Sequence, residues 1–479
     1  MNLYLTNFTN SFLTNFIINT IIKVKNLRKR CLIMKKEYEN LFKELVKSYY
    51  NGNFDDTLKN ILKKDNINKT NLQSIISALC GVDIKNDNNY IYNIKKAITN
   101  YKVEKNIVKK IDKCDMSCAD ENGITKCQSI CPIDAIISEN DDIKIDNDLC
   151  INCGRCVEVC DDNKLLDKVE FIPLLNLIKN NKNVVAVVAP AISGQWGNEV
   201  TLDMLREAFI KIGFTDMLEV AFAADMLTIK EAVEFNNHVK TEDDLMITSC
   251  CCPMWVGMLR KVYKNLVKDV SPSVSPMIAM GRVIKKIKPD VKVVFVGPCI
   301  AKKAEAKDKD LVGAIDYVLT FQEVKTIFDS LSINPKTLKG IPTKEYASRG
   351  GRLYARTGGV SIAISEAIEE LFPKKHKMLK AIQANGVKEC KEILAKAEKG
   401  EINANFIEGM GCIGGCVGGP KALVSKELGK EAVDKVAFSS PIKVATHSEG
   451  MDKVLKKIGI TSLNDFKEED TMGIFERNF

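Results

Sequence analysis

The chain has 479 residues, 45% of them hydrophobic and 28% charged, which suits two to four folded domains rather than a disordered polymer. No apolar run reaches the ~18 residues of a membrane span. The net charge of +8 is unevenly placed: five positive residues and no acid over 1–33, +6 over 34–110 and −8 over 111–165, so it does not describe a nucleic-acid-binding face.

Residues 1–33 hold a half-apolar stretch, Leu3–Val24, broken by Asn7, Asn10, Asn15 and Asn19. Its charges follow the apolar part and no small-residue cleavage site appears, the reverse of a secretory signal. We expect a non-structural extension ahead of a second start at Met34-Lys35-Lys36-Glu37, with an amphipathic membrane anchor as the alternative. Over 34–110 the pattern is helical: Leu41, Leu45 and Tyr49 recur at four-residue spacing, Leu58, Ile61 and Leu62 form a second face, and Asn51-Gly52-Asn53 breaks the two. Cys80, within the apolar run Ile75–Cys80, reads as core.

From Ile111 to about Leu165 the helical pattern gives way to Cys, Gly, Pro and Asp. Val184–Val188 then reads as a buried parallel strand ending at Ala189-Pro190. Strands (Leu245–Thr248, Val291–Val296) and helices (Met204–Ile212, Ile362–Leu371) alternate to about Lys456. This is the signature of an α/β fold with parallel sheets, where chemistry gathers beyond the carboxyl ends of the strands. The expected division is 1–33, a helical module over 34–110, a Cys-rich domain over 111–165 and an α/β domain over 166–479.

The chain has seventeen cysteines, in tight groups that cannot all be bridged without strain. A long, Lys-rich chain of this kind fits reduced thiolates holding metal in a reducing cytoplasm. Cys150-x2-Cys153-x2-Cys156-x3-Cys160 lets one loop wrap three thiolates around a cubane while the fourth reaches a second cluster. A partner motif, Cys114-x3-Cys118-x8-Cys127-x3-Cys131-Pro132, lies just upstream, and its close resembles the bacterial ferredoxins. That resemblance implies an α+β domain with one [4Fe–4S] cluster on Cys114, Cys118, Cys127 and Cys160. A second would sit on Cys131, Cys150, Cys153 and Cys156. Zinc is the alternative, though zinc ribbons favour paired knuckles separated by a longer stretch.

Three further groups fall in the α/β region: Thr248-Ser249-Cys250-Cys251-Cys252-Pro253, Pro298-Cys299-Ile300-Ala301-Lys302-Lys303-Ala304-Glu305, and Glu408-Gly409-Met410-Gly411-Cys412-Ile413-Gly414-Gly415-Cys416. Here the sequence resembles the [FeFe] hydrogenases over about Ile111 to Pro420. The resemblance implies a two-lobed domain carrying an H-cluster, a [4Fe–4S] cluster on Cys252, Cys299, Cys412 and Cys416 joined through Cys416 to a two-iron subcluster. That subcluster carries CO, cyanide and a bridging dithiolate amine. Cys251 would pass protons to the amine, and Lys302 would hydrogen-bond a cyanide. Ala189-Pro190-Ala191 would face the other cyanide, with Met410 also against the cofactor. Protons would reach Cys251 through Glu231, Glu234 and Ser271, the two Glu spaced i and i+3 on one helix face. Glu305 would be a structural partner of the Lys302 loop.

The implied activity is reversible reduction of two protons to H2. The partners would be a ferredoxin-type electron carrier and maturation proteins for the two-iron unit, with no nucleic acid and no membrane. The alternatives are a non-catalytic iron–sulfur assembly protein or an H2 sensor of the same fold. Several positions depart from the family pattern: Gly297 replaces a Met, Met277 a Gln and Gly411 an Ala. The last glycine run shortens to Gly418-Gly419-Pro420, and Cys250 makes a triple Cys. Cys31, Cys390, His238, His376 and His447 belong to no motif and receive no role.

Overall fold

The computed structural model describes residues 37–64, 69–84, 88–102, 105–180, 183–248, 251–343 and 347–479. The expectations for residues 1–33, Cys31 and Cys250 lie outside these residues.

The first helices span residues 37–51, Phe54–Lys64, Lys69–Leu79 and Tyr90–Thr99. Gly52, at φ +82°, turns the chain between the first two. Their apolar faces meet one another and the chain beyond them. Phe42, Leu45, Ile76 and Ile94 share one continuous core with Phe171, Leu174 and Leu175 of the helix Phe171–Asn180 and with Val184 beyond it. Two local features fix this docking. Val169 N donates to Ala78 O at 2.9 Å, and Lys179 Nζ donates to Tyr49 O and Tyr50 O at 3.0 Å while lying over both rings.

The Cys-rich segment contains β1 (Val108–Lys110), β2 (Ile136–Ser138), β3 (Ile143–Ile145) and β4 (Leu165–Asp167), paired antiparallel as β1–β4 and β2–β3. The unit therefore begins three residues before the expected boundary at 111 and ends two residues after that at 165. Its core is Cys114, Cys127 and Cys156 with a few aliphatic residues such as Val108, Ile136 and Leu165. So small a core needs bound metal for its stability.

Seven strands follow: β5 (Val184–Val188), β6 (Asp216–Glu219), β7 (Met246–Ile247), β8 (Lys292–Gly297), β9 (Tyr317–Thr320), β10 (Ala381–Asn385) and β11 (Phe406–Met410). They form two all-parallel sheets, of order β6-β5-β8-β9 and β10-β11-β7. The apolar run of β5 is buried throughout except Val185, as a strand covered on both faces must be. The strand expected at Leu245–Thr248 is only two residues long. The helices expected at Met204 and Ile362 begin earlier, at Leu202 and Gly359, because Thr201 Oγ1 accepts from Met204 N and Gly358 (φ +82°) opens the other. Between the sheets runs the helix Ala221–His238, buried along most of its length against the helix Gly359–Leu371. Each sheet sends two carboxyl-end loops toward the same place: β5 and β8 from one, β7 and β11 from the other.

Candidate metal centre

Cys252 is the N-cap of the helix Pro253–Lys261, whose first residue, Pro, needs no hydrogen-bond acceptor. Trp255 in that helix donates from Nε1 to Thr248 O at 2.9 Å, fixing the loop after β7. The β11 loop lies against it: a Cβ on Gly409 would fall 2.2 Å from the Trp255 ring, and Gly411 N donates to Cys252 Sγ at 3.4 Å. Gly415, at φ +85°, passes so close to residues 356–357 that a Cβ would lie 2.6 Å from Thr357 N. The β8 loop adds Cys299.

These loops bring the four expected thiols into one pocket. Burial pushes Cys299 up to about 11 and Cys416 up to about 12, and in both the next cause is the charge of Cys252. Cys412 is raised well above the usual thiol range by burial, then by Cys299 and Cys252. Thiolates crowded this way need a cation to form, and a metal supplies it. Among the described residues no three His, Cys, Asp or Glu side chains close on a single ion. Four thiols carried by three separate loops suit the corners of a four-iron cluster.

Cys251 lies half-buried beside these thiols, its own held well above the usual range by desolvation and then by Cys416 and Cys252. Lys302 and Glu305 form a buried ion pair at 2.6 Å on the short helix Ala301–Glu305. Burial lowers Lys302, but Glu305 and the nearby Cys251 and Cys299 more than offset this, so the ammonium persists. Glu305 Oε1 is buried without a hydrogen-bond partner. A desolvated ammonium beside the Cys pocket is a fitting donor to an anionic ligand such as cyanide.

Ala191 is buried, Pro190 opens a short 3-10 turn after β5, and Ala189 lies beside Gly297. A Cβ on Gly297 would fall 2.6 Å from the Phe295 ring, so Phe295 fills the volume that a longer side chain at 297 would take. Met410 is buried in a cluster that also takes in Tyr354 and the partly buried Cys251 and Cys252.

Glu231 and Glu234 lie on the helix Ala221–His238 as the spacing requires. Ser271 Oγ donates to Glu234 Oε2 at 2.8 Å and is 2.9 Å from Ser273 Oγ. Thr248 Oγ1 donates to Glu231 Oε2. Burial, then Glu234, pushes the Glu231 carboxyl up to about 7, against the pull of Thr248, Lys230 and Ser273. Sequence reasoning missed Thr248, Ser273 and Tyr354. The buried Tyr354, its hydroxyl 3.0 Å from Thr228 Oγ1, feels the charges of both Glu231 and Cys251. Thr248 and Ser273 flank assigned residues and could have been suspected; Tyr354 carries no motif.

In the Cys-rich unit, Cys131, Cys150, Cys153 and Cys156 line one small cavity with Ile133 and Arg155. Cys127 is raised first by burial, then by Cys118, Cys160 and Cys114, the other expected quartet. Gly154, between Cys153 and Cys156, packs on Ile300 next to Cys299, and Ile151 packs on Gly257 in the helix that Cys252 caps.

The arrangement is that of an iron–sulfur protein of two parts, a small Cys-rich unit docked on a two-sheet α/β domain with four loop cysteines at its centre. Residues 182–420 match the family described as iron only hydrogenase large subunit, C-terminal domain, and residues 143–163 match a 4Fe-4S binding domain. The chain belongs to the iron-only hydrogenase family. It is 24% identical over 380 residues to the NADP-reducing hydrogenase subunit HndD of Solidesulfovibrio fructosivorans, covering 66% of this chain and 64% of that protein. To iron hydrogenase 1 of Clostridium pasteurianum it is 27% identical, covering 62% and 68%. To a "probable cytosolic Fe-S cluster assembly factor" of Aedes aegypti it is 23% identical, covering 56% and 70%. The fold matches a solved [FeFe]-hydrogenase described for oxygen damage to its 2Fe subcluster, at TM-score 0.56 and 21% identity, covering 65% of this chain and 98% of that one.

Proposed function

We propose that the protein is an [FeFe] hydrogenase that interconverts H2 with two protons and two electrons. The observation that carries this reading is Cys251: a half-buried thiol that feels the charges of Cys416 and Lys302, with Tyr354 in reach of both it and Glu231, the inner member of a carboxylate and hydroxyl chain. Cys252, Cys299, Cys412 and Cys416 would hold the H-cluster, with Ala189, Pro190, Ala191, Lys302 and Met410 around it. When bound, that cofactor supplies the redox chemistry and the binding of H2.

The chain's own residues then manage protons and electrons. Cys251 holds the innermost proton on Sγ, which a thiol does without burying a large charge. Glu231 stands near neutrality at about 7, so it can both take and give a proton at physiological pH. Glu234 and Ser271 carry the proton outward, with Ser273 and Thr248 as hydroxyl links. The two Cys quartets of the Cys-rich unit would hold [4Fe–4S] clusters that pass electrons to and from a ferredoxin-type carrier.

No helix among the described residues is long and apolar enough to cross a membrane; the cytoplasmic reading rests on the many reduced, metal-holding cysteines. Supply of the two-iron unit by maturation proteins follows from the same reading. A second reading, an iron–sulfur assembly protein, draws on the Aedes relative so described. Such a protein has no need of Cys251 joined to a proton chain. The test is an H2 assay on protein produced with and without the maturation proteins. H2 evolution only in the matured form supports the hydrogenase; a fully matured but inert protein favours the second reading.

A further inference from the structure

Lys230 is the least expected residue of the proton region. It precedes Glu231 on the helix Ala221–His238 and its side chain is only 4% exposed. Its ammonium makes three contacts, all at 3.1 Å: Glu234 Oε2, Ser273 Oγ and Glu476 Oε1. Three partners match the three protons of an ammonium. Burial lowers Lys230, but Glu234, Glu476 and Glu231 outweigh it, so the group stays charged.

Glu476 comes from the far end of the chain. Residues 475–477 return as a single extended rung beside residues 272–274: Val274 N donates to Phe475 O, and Arg477 N to Pro272 O, both at 2.8 Å. Arg282 Nη1 donates to Glu476 O at 2.7 Å, and Arg477 Nη2 pairs with Asp308 at 3.1 Å. The tail is thus fastened on both sides of Glu476. Glu234 and Glu476 have side chains 21% and 25% exposed, straddling a buried cation. Two part-exposed carboxylates on one ammonium, with hydroxyls behind them, form a mouth rather than a closed ion pair.

We propose that Glu476 and Glu234 are twin outer stations of the proton route, and that Lys230 is the positioning residue tying both to Ser273 and Glu231. This rests on the hydrogenase reading. A proton taken from water by either carboxylate passes to the Ser271–Ser273 hydroxyl pair, each oxygen accepting one proton and releasing its own, and on to Glu231. Glu231 is faced by Lys230 and Glu234 on its own helix, Thr248 after β7, Ser273 in the following turn and Tyr354 after the helix Arg349–Leu353. Lys230 is faced by Glu231, Glu234, Glu476 and Ser273.

The test uses matured full-length protein carrying E476Q, K230M or K230R, with H2 oxidation followed against pH in H2O and D2O. In parallel, the infrared carboxyl band that E231Q abolishes is titrated in protein made without the maturation proteins. With one of two stations lost, E476Q should cut turnover about three- to tenfold and enlarge the solvent isotope effect. Loss of the neighbouring positive charge in K230M should raise the Glu231 midpoint by about one pH unit, and K230R should restore it. Wild-type turnover and isotope effect in E476Q would overturn the proposal, as would an unshifted midpoint in K230M. Should K230M fail to accumulate, E476Q alone decides. An inert matured wild type would sink the hydrogenase reading instead, a result independent of the carboxyl titration.

Discussion

Gly154 lies against Ile300 so closely that a Cβ on the glycine would fall 2.2 Å from Ile300 Cδ1. One residue sits between Cys153 and Cys156, and the other follows Cys299. The contact therefore joins the inner loop of the Cys-rich unit to the loop that carries Cys299. Gly154 also has φ +75°, a conformation side chains resist. G154A should cost about 1–3 kcal/mol by overpacking and strain and should part the two loops. Denaturant unfolding measures the first effect. Weaker magnetic interaction between reduced clusters in EPR measures the second, and an unchanged spectrum would show that Ile300 yields instead.

Iron content separates the readings of the thiols. Twelve placed cysteines should bind about fourteen irons in matured protein and about twelve without the maturation proteins. Metal analysis giving zinc, or about eight irons after full maturation, would contradict the assignment of the central pocket.

C251A removes the innermost proton carrier while leaving every cluster ligand. Turnover should drop by about 10²-fold or more with the cluster spectra intact. Near-normal turnover would move the relay to another group.

The pair Lys302–Glu305 is buried on both sides, so cutting one partner strands the other. K302M should destabilise the chain by about 3–5 kcal/mol, and K302M combined with E305Q should recover most of that. Neither variant should retain the two-iron unit, because no ammonium remains to bind its anionic ligand. Infrared CO bands of normal strength in the double variant would show that Lys302 does not hold the cofactor.

Stability should fall as pH rises from about 4 to about 7 and level off above. Burial pushes both Asp225 and Glu231 up to about 7 from ordinary values of 3.8 and 4.5. Below their unfolded values both chains hold these protons. Between those values and about 7 only the folded chain does, so the stability of the neutral forms is lost through that window. The loss is on the order of 3–4 kcal/mol per group. Urea midpoints measured across this range should slope downward, and E231Q should flatten part of the slope. Equal slopes in wild type and E231Q would place the titration elsewhere.

The metal pocket was legible because its ligands sit in short local motifs whose spacing is itself the chemistry. The same holds for Lys302 and Glu305, one helical turn apart. Glu231, Glu234 and Ser271 were reached through the family resemblance, with which the i, i+3 spacing of the two carboxylates agrees. Lys230 and Glu476 were not, since their pairing depends on a tail that returns across most of the domain and leaves no periodic trace. The first helices show a similar limit. Their apolar stripes announce that something covers them, yet only packing reveals that Phe171 and Leu174 do so. Gly297 stands where the family pattern has a Met, and only packing reveals that Phe295 takes the space a longer side chain there would fill.

β7 is two residues long and pairs with β11 some 160 residues further on, Met246 beside Phe406. A pairing so brief and so distant has little local drive and must await closure of a very long loop. The loops bearing Cys252 and Cys412 hang from these two strands, so their meeting belongs to the last stage of folding. β5 and β8 also pair at a distance, but over five residues each, and can zip first. A newly made chain would thus present Cys299 on a finished sheet while the opposite wall is still forming. Insertion of a preformed inorganic unit would be easiest in that interval.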